Sequence, residues 1–211
     1  LYNYTTTRSV SLTEMINHSK SVRLGVQKSL MVVDMPYKTY DTSVSALKNS
    51  KKIMKETKCD AVKLEGGKKI IKQIRVLIKN NIPVMGHLGL LPQSAKGKFK
   101  SKGKTTKEIN QLINDALLLQ KNGVFAIVLE CIKTPIAKQI TKSLKIPTIG
   151  IGSSVYCDGQ VLVTDDLIGL NQTNIKFVKR FLNVKKYINS GLRKFAYEVR
   201  TSKYPTKKHS Y

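Results

Sequence analysis

Four apolar runs end on residues that could do chemistry. Asp34 closes LMVVD, Lys63 and Glu65 stand two apart in DAVKLEGG, His87 sits within PVMGHLGLLPQ, and Glu130 closes AIVLE. Side chains alternate along a strand, so Ala61, Lys63 and Glu65 share one face and Val62 and Leu64 the other. The aliphatic face suits packing under helices, and the charged face would point into a mouth. Asp34 and Glu65, on nearby strands, are able to share a hard divalent ion, with water and substrate oxygens completing an octahedron that suits magnesium. Glu130 lies two positions after Val128 and faces inward with it; burial would raise its pKa, as a general base requires. Gly86 and Gly89 around His87 read as room for close backbone approach to a ligand. Each residue also has a structural reading: a strand-end salt bridge for Lys63 and Glu65, a helix cap for Asp34, an ion-paired rim residue for Glu130 and a hydrogen-bonded framework role for His87. Gly150 and Gly152 of TIGIGSS resemble a phosphate-binding turn but lack a complete fingerprint.

The elements that must position these residues are legible as six Val- and Ile-rich runs: SLMVVDMP, CDAVKLEGG, IPVMGHLG, VFAIVLEC, IPTIGIGS and GQVLVTDD. Helical patterns cover residues 12–24, 43–58, 68–80, 105–122 and 135–144, and a tail helix is predicted over 175–199. The last interval between runs is too short for a crossover helix. Near-continuous apolar strands alternating with amphipathic helices predict a parallel sheet covered by helices. Polar residues at the carboxyl ends of four strands favour a (β/α)8 barrel over an open doubly wound sheet, which focuses chemistry at one switch point. Six strands instead of eight, and a start at Leu1 followed by a loop-like YNYTTTRS, lead to the expectation that an amino-terminal part is missing.

With 211 residues, 41% of them hydrophobic, the chain predicts one barrel domain over 1–211, with residues 174–211 as a carboxyl-terminal helix and tail. No run is long enough to span a bilayer and none has the form of a signal peptide, so a cytoplasmic protein is expected. Cys59, Cys131 and Cys157 lack C-x-x-C spacing and read as reduced thiols. The net charge of +25 raises a polyanion- or nucleic-acid-binding alternative. Most lysines are scattered over helix faces, and no nucleic-acid-binding motif accompanies them, so a lysine-rich solvated surface is expected and no specific nucleic acid. One denser cluster, Lys96, Lys98, Lys100, Lys102 and Lys104, reads as a loop with local anion preference.

The motifs DMPY, AVKLEGG, PVMGHLGLLPQS, AIVLEC, IPTIGIG and DGQVLV, in this order and spacing, and the closing HSY, resemble the ketopantoate (3-methyl-2-oxobutanoate) hydroxymethyltransferase family over essentially the whole chain. The resemblance implies a TIM barrel of the phosphoenolpyruvate/pyruvate type that transfers a hydroxymethyl group from 5,10-methylenetetrahydrofolate to 3-methyl-2-oxobutanoate, forming 2-dehydropantoate for pantothenate synthesis through a magnesium-stabilised enolate. It implies one Mg2+ per subunit held by Asp34 and Glu65, keto-acid contacts from Asp34 and Lys63, and Glu130 as proton acceptor. His87 and Ser153 are expected at the substrate rim, and a homodecamer is implied. The Lys96–Lys107 loop could attract the folate's glutamate tail. The family pattern opens with two further strands and a G-D-S segment whose aspartate joins the metal site, and LYNYTTTRSVSL matches the loop after it. Ser153 and Ser154 stand where an Ala-Gly pair is usual, Asp165 where a histidine is usual, and the basic loop is slightly short. A chain lacking that aspartate and two strands would have an open sheet with unpaired edges and weak or no catalysis.

Overall fold

A computed structural model describes residues 6–94, 101–171 and 174–211. Contacts divide the chain into two compact units, Leu1–Val161 and Leu162–Tyr211. All six predicted strands form, as β1 (Val32–Asp34), β2 (Ala61–Glu65), β3 (Val84–Gly89), β4 (Ala126–Glu130), β5 (Thr148–Ile151) and β6 (Gly159–Gln160). They make one parallel sheet in the order β1-β2-β3-β4-β5-β6. The order never reverses, so every right-handed crossover advances in the same direction and the helices gather on one face. That is the winding of a barrel, and the first unit carries an α/β fold whose six strands curl as a half-barrel. Within it, β1 and β6 are the sheet's edges, and β6 is only two residues long.

Helices α1 (Leu12–Gly25), α2 (Ser43–Thr57), α3 (Ile71–Lys79), α4 (Thr106–Lys121) and α5 (Thr134–Ser143) follow the predicted spans closely. Their starts are written in local chemistry. Ser11 and Glu14 form a reciprocal cap on α1, Thr42 and Ser45 do so on α2, and the Thr105 hydroxyl accepts from the Glu108 amide on α4. Lys68–Ile70, predicted as the first turn of α3, is a 3-10 turn instead. Below the sheet Val33, Val62, Leu64, Val84, Ile127 and Leu129 bury against Ile53, Ile74, Leu77, Leu119 and Ile140 of the helices. Each such side chain contributes about 1.5–3 kcal/mol. This layer holds the strands in register.

The second unit contains a short helix α6 (Thr164–Leu167) that the sequence pattern missed, and α7 (Val184–Arg200), which starts later than the predicted residue 175. The reason is backbone competition. The Phe181 and Val184 amides donate to the Leu167 and Ile168 carbonyls, so this segment folds back on α6 instead of closing helical turns. Asn183 then caps α7 by accepting from the Lys186 amide. Among the described residues no helix is long and apolar enough to cross a membrane.

Candidate active site

The register carries the polar residues onto one face. Asp34 pairs with Lys63, Glu65 with His87, His87 with Val128, and Gly89 with Glu130. Paired residues of a parallel sheet point the same way, so Asp34, Lys63, Glu65, His87 and Glu130 all stand opposite the helix layer, at the carboxyl ends of four adjacent strands.

Lys63 bridges its neighbours. Its Nζ lies 3.0 Å from Asp34 Oδ2 and 3.3 Å from His87 Nδ1. The salt bridge that the sequence also allowed between Lys63 and Glu65 is therefore directed to Asp34 instead. His87 sits at the centre: Nδ1 is 3.9 Å from Glu65 Oε1, and Nε2 is 3.1 Å from Glu130 Oε2. That last approach is close, but among the described residues Nε2 meets no acceptor at a good hydrogen-bond angle. The His87 side chain is 3% exposed, so it lies beneath the rim where the sequence placed it. Burial, more than any neighbour, lowers its pKa.

Glu65 is nearly as enclosed, at 7% exposure. Its Oε2 accepts the Gln93 backbone N–H at 3.0 Å. Burial, with the negative charges of Asp34 and Glu130, outweighs that hydrogen bond and Lys63 and pushes its pKa up to about 7. Glu130 and Lys63 are each 14% exposed, whereas Asp34 is 47% exposed. Thus three carboxylates share one pattern: one oxygen faces a held neighbour, and the other, Asp34 Oδ1, Glu65 Oε1 or Glu130 Oε1, has no hydrogen-bond partner among the described residues.

Gln93 was not singled out from the sequence, although it belongs to the quoted GHLGLLPQ motif. Its side chain donates to the Met35 carbonyl at 2.9 Å and accepts the Tyr40 hydroxyl at 2.8 Å, tying the segment after β3 to the segment after β1. Burial and then the charge of Glu65 hold the Tyr40 phenol well above its usual pKa. Gln93 thereby fixes the backbone N–H that holds Glu65.

The glycines also answer to packing. A Cβ at Gly86 would meet Leu119 at 3.0 Å on the helix side, and one at Gly67 would run into the Asp115 carboxylate, which accepts the Lys68 amide. Gly89, at φ +99, brings its backbone against β4, where a Cβ would fall 2.1 Å from the Glu130 carbonyl oxygen. At these positions a side chain would collide with neighbouring helix, carboxylate or strand atoms, so packing alone already calls for glycine. Ser153 lies beyond β5, donating to the Ile132 carbonyl at 3.1 Å and accepting from the Thr134 hydroxyl through its own carbonyl. It makes no hydrogen bond to the cluster among the described residues. Of the basic loop, Lys96, Lys98 and Lys100 lie outside the described residues. Lys102 pairs with Glu108 at 3.7 Å, and its backbone is bonded to Cys131 and Lys133. Cys59 and Cys157 are buried and Cys131 partly so, all as thiols.

Among the described residues no group of three or more His, Cys, Asp or Glu side chains converges as a metal cage. Magnesium does not need one, since it commonly takes one or two protein carboxylates and keeps water and substrate oxygens for the rest. The donor set fits: two hard carboxylates on adjacent strands each present an oxygen without a hydrogen-bond partner among the described residues, and burial, the main cause of Glu65's raised pKa, leaves its charged form short of solvent.

Against known proteins, residues 1–207 match the sequence profile of a family described as ketopantoate hydroxymethyltransferase. Three curated relatives are named 3-methyl-2-oxobutanoate hydroxymethyltransferase. The chain is 62% identical over 211 residues to that of Pelagibacter ubique (strain HTCC1062), covering 100% of the chain and 82% of the relative. It is 46% identical over 209 residues to that of Clostridioides difficile (strain 630), covering 97% and 76%. It is 43% identical over 215 residues to that of Rhizobium etli, covering 100% and 79%.

Proposed function

The chain belongs to the ketopantoate hydroxymethyltransferase family, and from that premise we propose how its strand-end cluster performs the reaction. The enzyme transfers a one-carbon unit: 3-methyl-2-oxobutanoate, 5,10-methylenetetrahydrofolate and water become 2-dehydropantoate and tetrahydrofolate, in pantothenate biosynthesis. The observation that carries the assignment of roles is the convergence of Asp34, Lys63, Glu65 and Glu130 on one face at the ends of β1, β2 and β4.

Glu130 is the proton acceptor. Its Oε1 takes the proton from C3 of the keto acid, and the electron pair left behind moves into the C2 carbonyl. C3 then attacks the methylene carbon of the folate, forming a C–C bond as one of that carbon's two C–N bonds opens and that nitrogen takes back the proton from Glu130. Water then displaces the second nitrogen, its oxygen becoming the hydroxyl and one of its protons passing to that nitrogen. Lys63 has three ammonium hydrogens, of which Asp34 and His87 engage two. The third is left for the substrate carboxylate. Asp34 and Glu65 are the residues that would hold Mg2+, which would supply Lewis-acid polarisation of the keto acid and acidify C3–H. Asp34 also borders the keto acid.

Family membership further supports an eight-stranded barrel of the phosphoenolpyruvate/pyruvate type, one Mg2+ per subunit, a homodecamer and a cytoplasmic location. The polyanion-binding alternative is not favoured. Two measurements test the assignment. Solvent deuterium exchange at C3 of 3-methyl-2-oxobutanoate, with Mg2+ and without folate, should fall by about 10²–10⁴-fold in Glu130→Gln. Keto-acid binding in the presence of Mg2+ should be lost in Glu65→Ala. Undiminished exchange in Glu130→Gln would refute the role of Glu130, and unaltered binding in Glu65→Ala that of Glu65.

A further inference from the structure

We infer that His87 is a positioning residue for Glu130, its ring fixed by Lys63 in the tautomer that carries hydrogen on Nε2. The inference rests on Glu130 being the proton acceptor and adds the device that orients it.

Lys63 Nζ is held 3.0 Å from Asp34 Oδ2, as an ammonium beside a carboxylate, and 3.3 Å from His87 Nδ1. An ammonium has only donors. The nitrogen facing it must therefore offer a lone pair, and in a neutral imidazole the single hydrogen then sits on Nε2. Nε2 points to Glu130 Oε2 at 3.1 Å, so the hydrogen bond available there is imidazole N–H to carboxylate. The ring is enclosed at 3% exposure, and β3 fixes its backbone between β2 and β4 through the Glu65 and Val128 pairings.

A carboxylate at a strand end can rotate about its side-chain torsions, and only one oxygen need meet the substrate. Donation from His87 to Oε2 selects the orientation that presents Oε1. Nε2 lies within hydrogen-bond distance of Oε2 but off the ideal angle; catalytic hydrogen bonds of this kind commonly tighten only in the substrate complex. The result is one chain of contacts, Asp34–Lys63–His87–Glu130, crossing β1 to β4 and linking a residue beside the proposed metal to the base.

The test separates this inference from the role of Glu130 itself. The 15N resonances of the His87 ring in the wild-type chain should show a protonated Nε2 and an unprotonated Nδ1, a readout independent of turnover. Lys63→Met should replace this single tautomer by a mixture. In the C3 exchange assay, His87→Gln retains a donor near the Nε2 position and should stay within about tenfold of wild type. His87→Leu should lose about 10²-fold in rate, the cost of a misplaced catalytic group, with the keto-acid KM nearly unchanged. A protonated Nδ1, or exchange in a folded His87→Leu within about twofold of wild type, would overturn the inference. Loss of exchange in Glu130→Gln alongside such a His87→Leu would leave the role of Glu130 intact, whereas exchange surviving in Glu130→Gln would remove the premise.

Discussion

Glu65 gives the residue scale its clearest consequence. Its usual pKa of 4.5 rises to about 7 in the folded protein, first through burial. Between those values the folded state holds a proton that the unfolded state has released. Stability therefore falls as pH rises through this window, and the full loss, about 3 kcal/mol by the size of the shift, is reached above pH 7. His87, lowered, contributes the opposite slope, so the difference between wild type and Glu65→Gln isolates Glu65. In urea denaturation of the metal-free protein, Glu65→Gln should gain on wild type by roughly that amount between pH 5 and pH 8. Parallel curves across this range would contradict the burial argument. Mg2+ bound at the proposed site should remove much of the advantage, because it would supply the positive charge that the ionised carboxylate lacks. The residue types and their shared face were legible in the sequence, since alternation alone puts Lys63 with Glu65 and Glu130 with Val128. Which partner each residue takes was not, because Lys63 meets Asp34 and His87 across strands, at distances no local pattern encodes.

At the scale of elements, the approach of β3 to β4 sets where Glu130 sits. Gly89 is the contact point, at φ +99, and the next amide, that of Leu90, donates to the Glu130 carbonyl at 2.8 Å. Gly89→Ala combines a disfavoured backbone with a Cβ placed 2.1 Å from that carbonyl oxygen. It should destabilise the chain by about 1–3 kcal/mol and slow C3 exchange on the order of 10²-fold by shifting the end of β4. Thermal melting and the exchange assay read the two effects separately; an unchanged exchange rate would show that β4 is positioned without this contact. All six strands and five helices were readable because apolar periodicity and capping pairs act locally, as at Ser11 with Glu14. The late start of α7 was not readable, because the Phe181 and Val184 amides are taken by carbonyls more than a dozen residues away in the chain, not by the next turn.

Over the whole molecule, the net charge of +25 opposes compaction. Few acidic groups are present to offset it, and outside the strand-end cluster the described ion pairs are at least partly exposed, such as Lys20 with Glu56. Added salt screens this self-repulsion over a distance of about 10 Å at 0.1 M. The melting temperature should therefore rise by a few degrees between about 20 and 300 mM NaCl, roughly the shift expected for 1 kcal/mol in a chain of this size. A flat or falling response would show that the surface charges are locally compensated. The contact chain from Asp34 to Glu130 runs through four separate segments, each from a different strand. Groups that act in one network respond non-additively to replacement. Inherited change at these positions is consequently epistatic: the tolerance of each for a new side chain depends on what already occupies the other three. Substitutions that are neutral in one relative should prove damaging when moved singly into another.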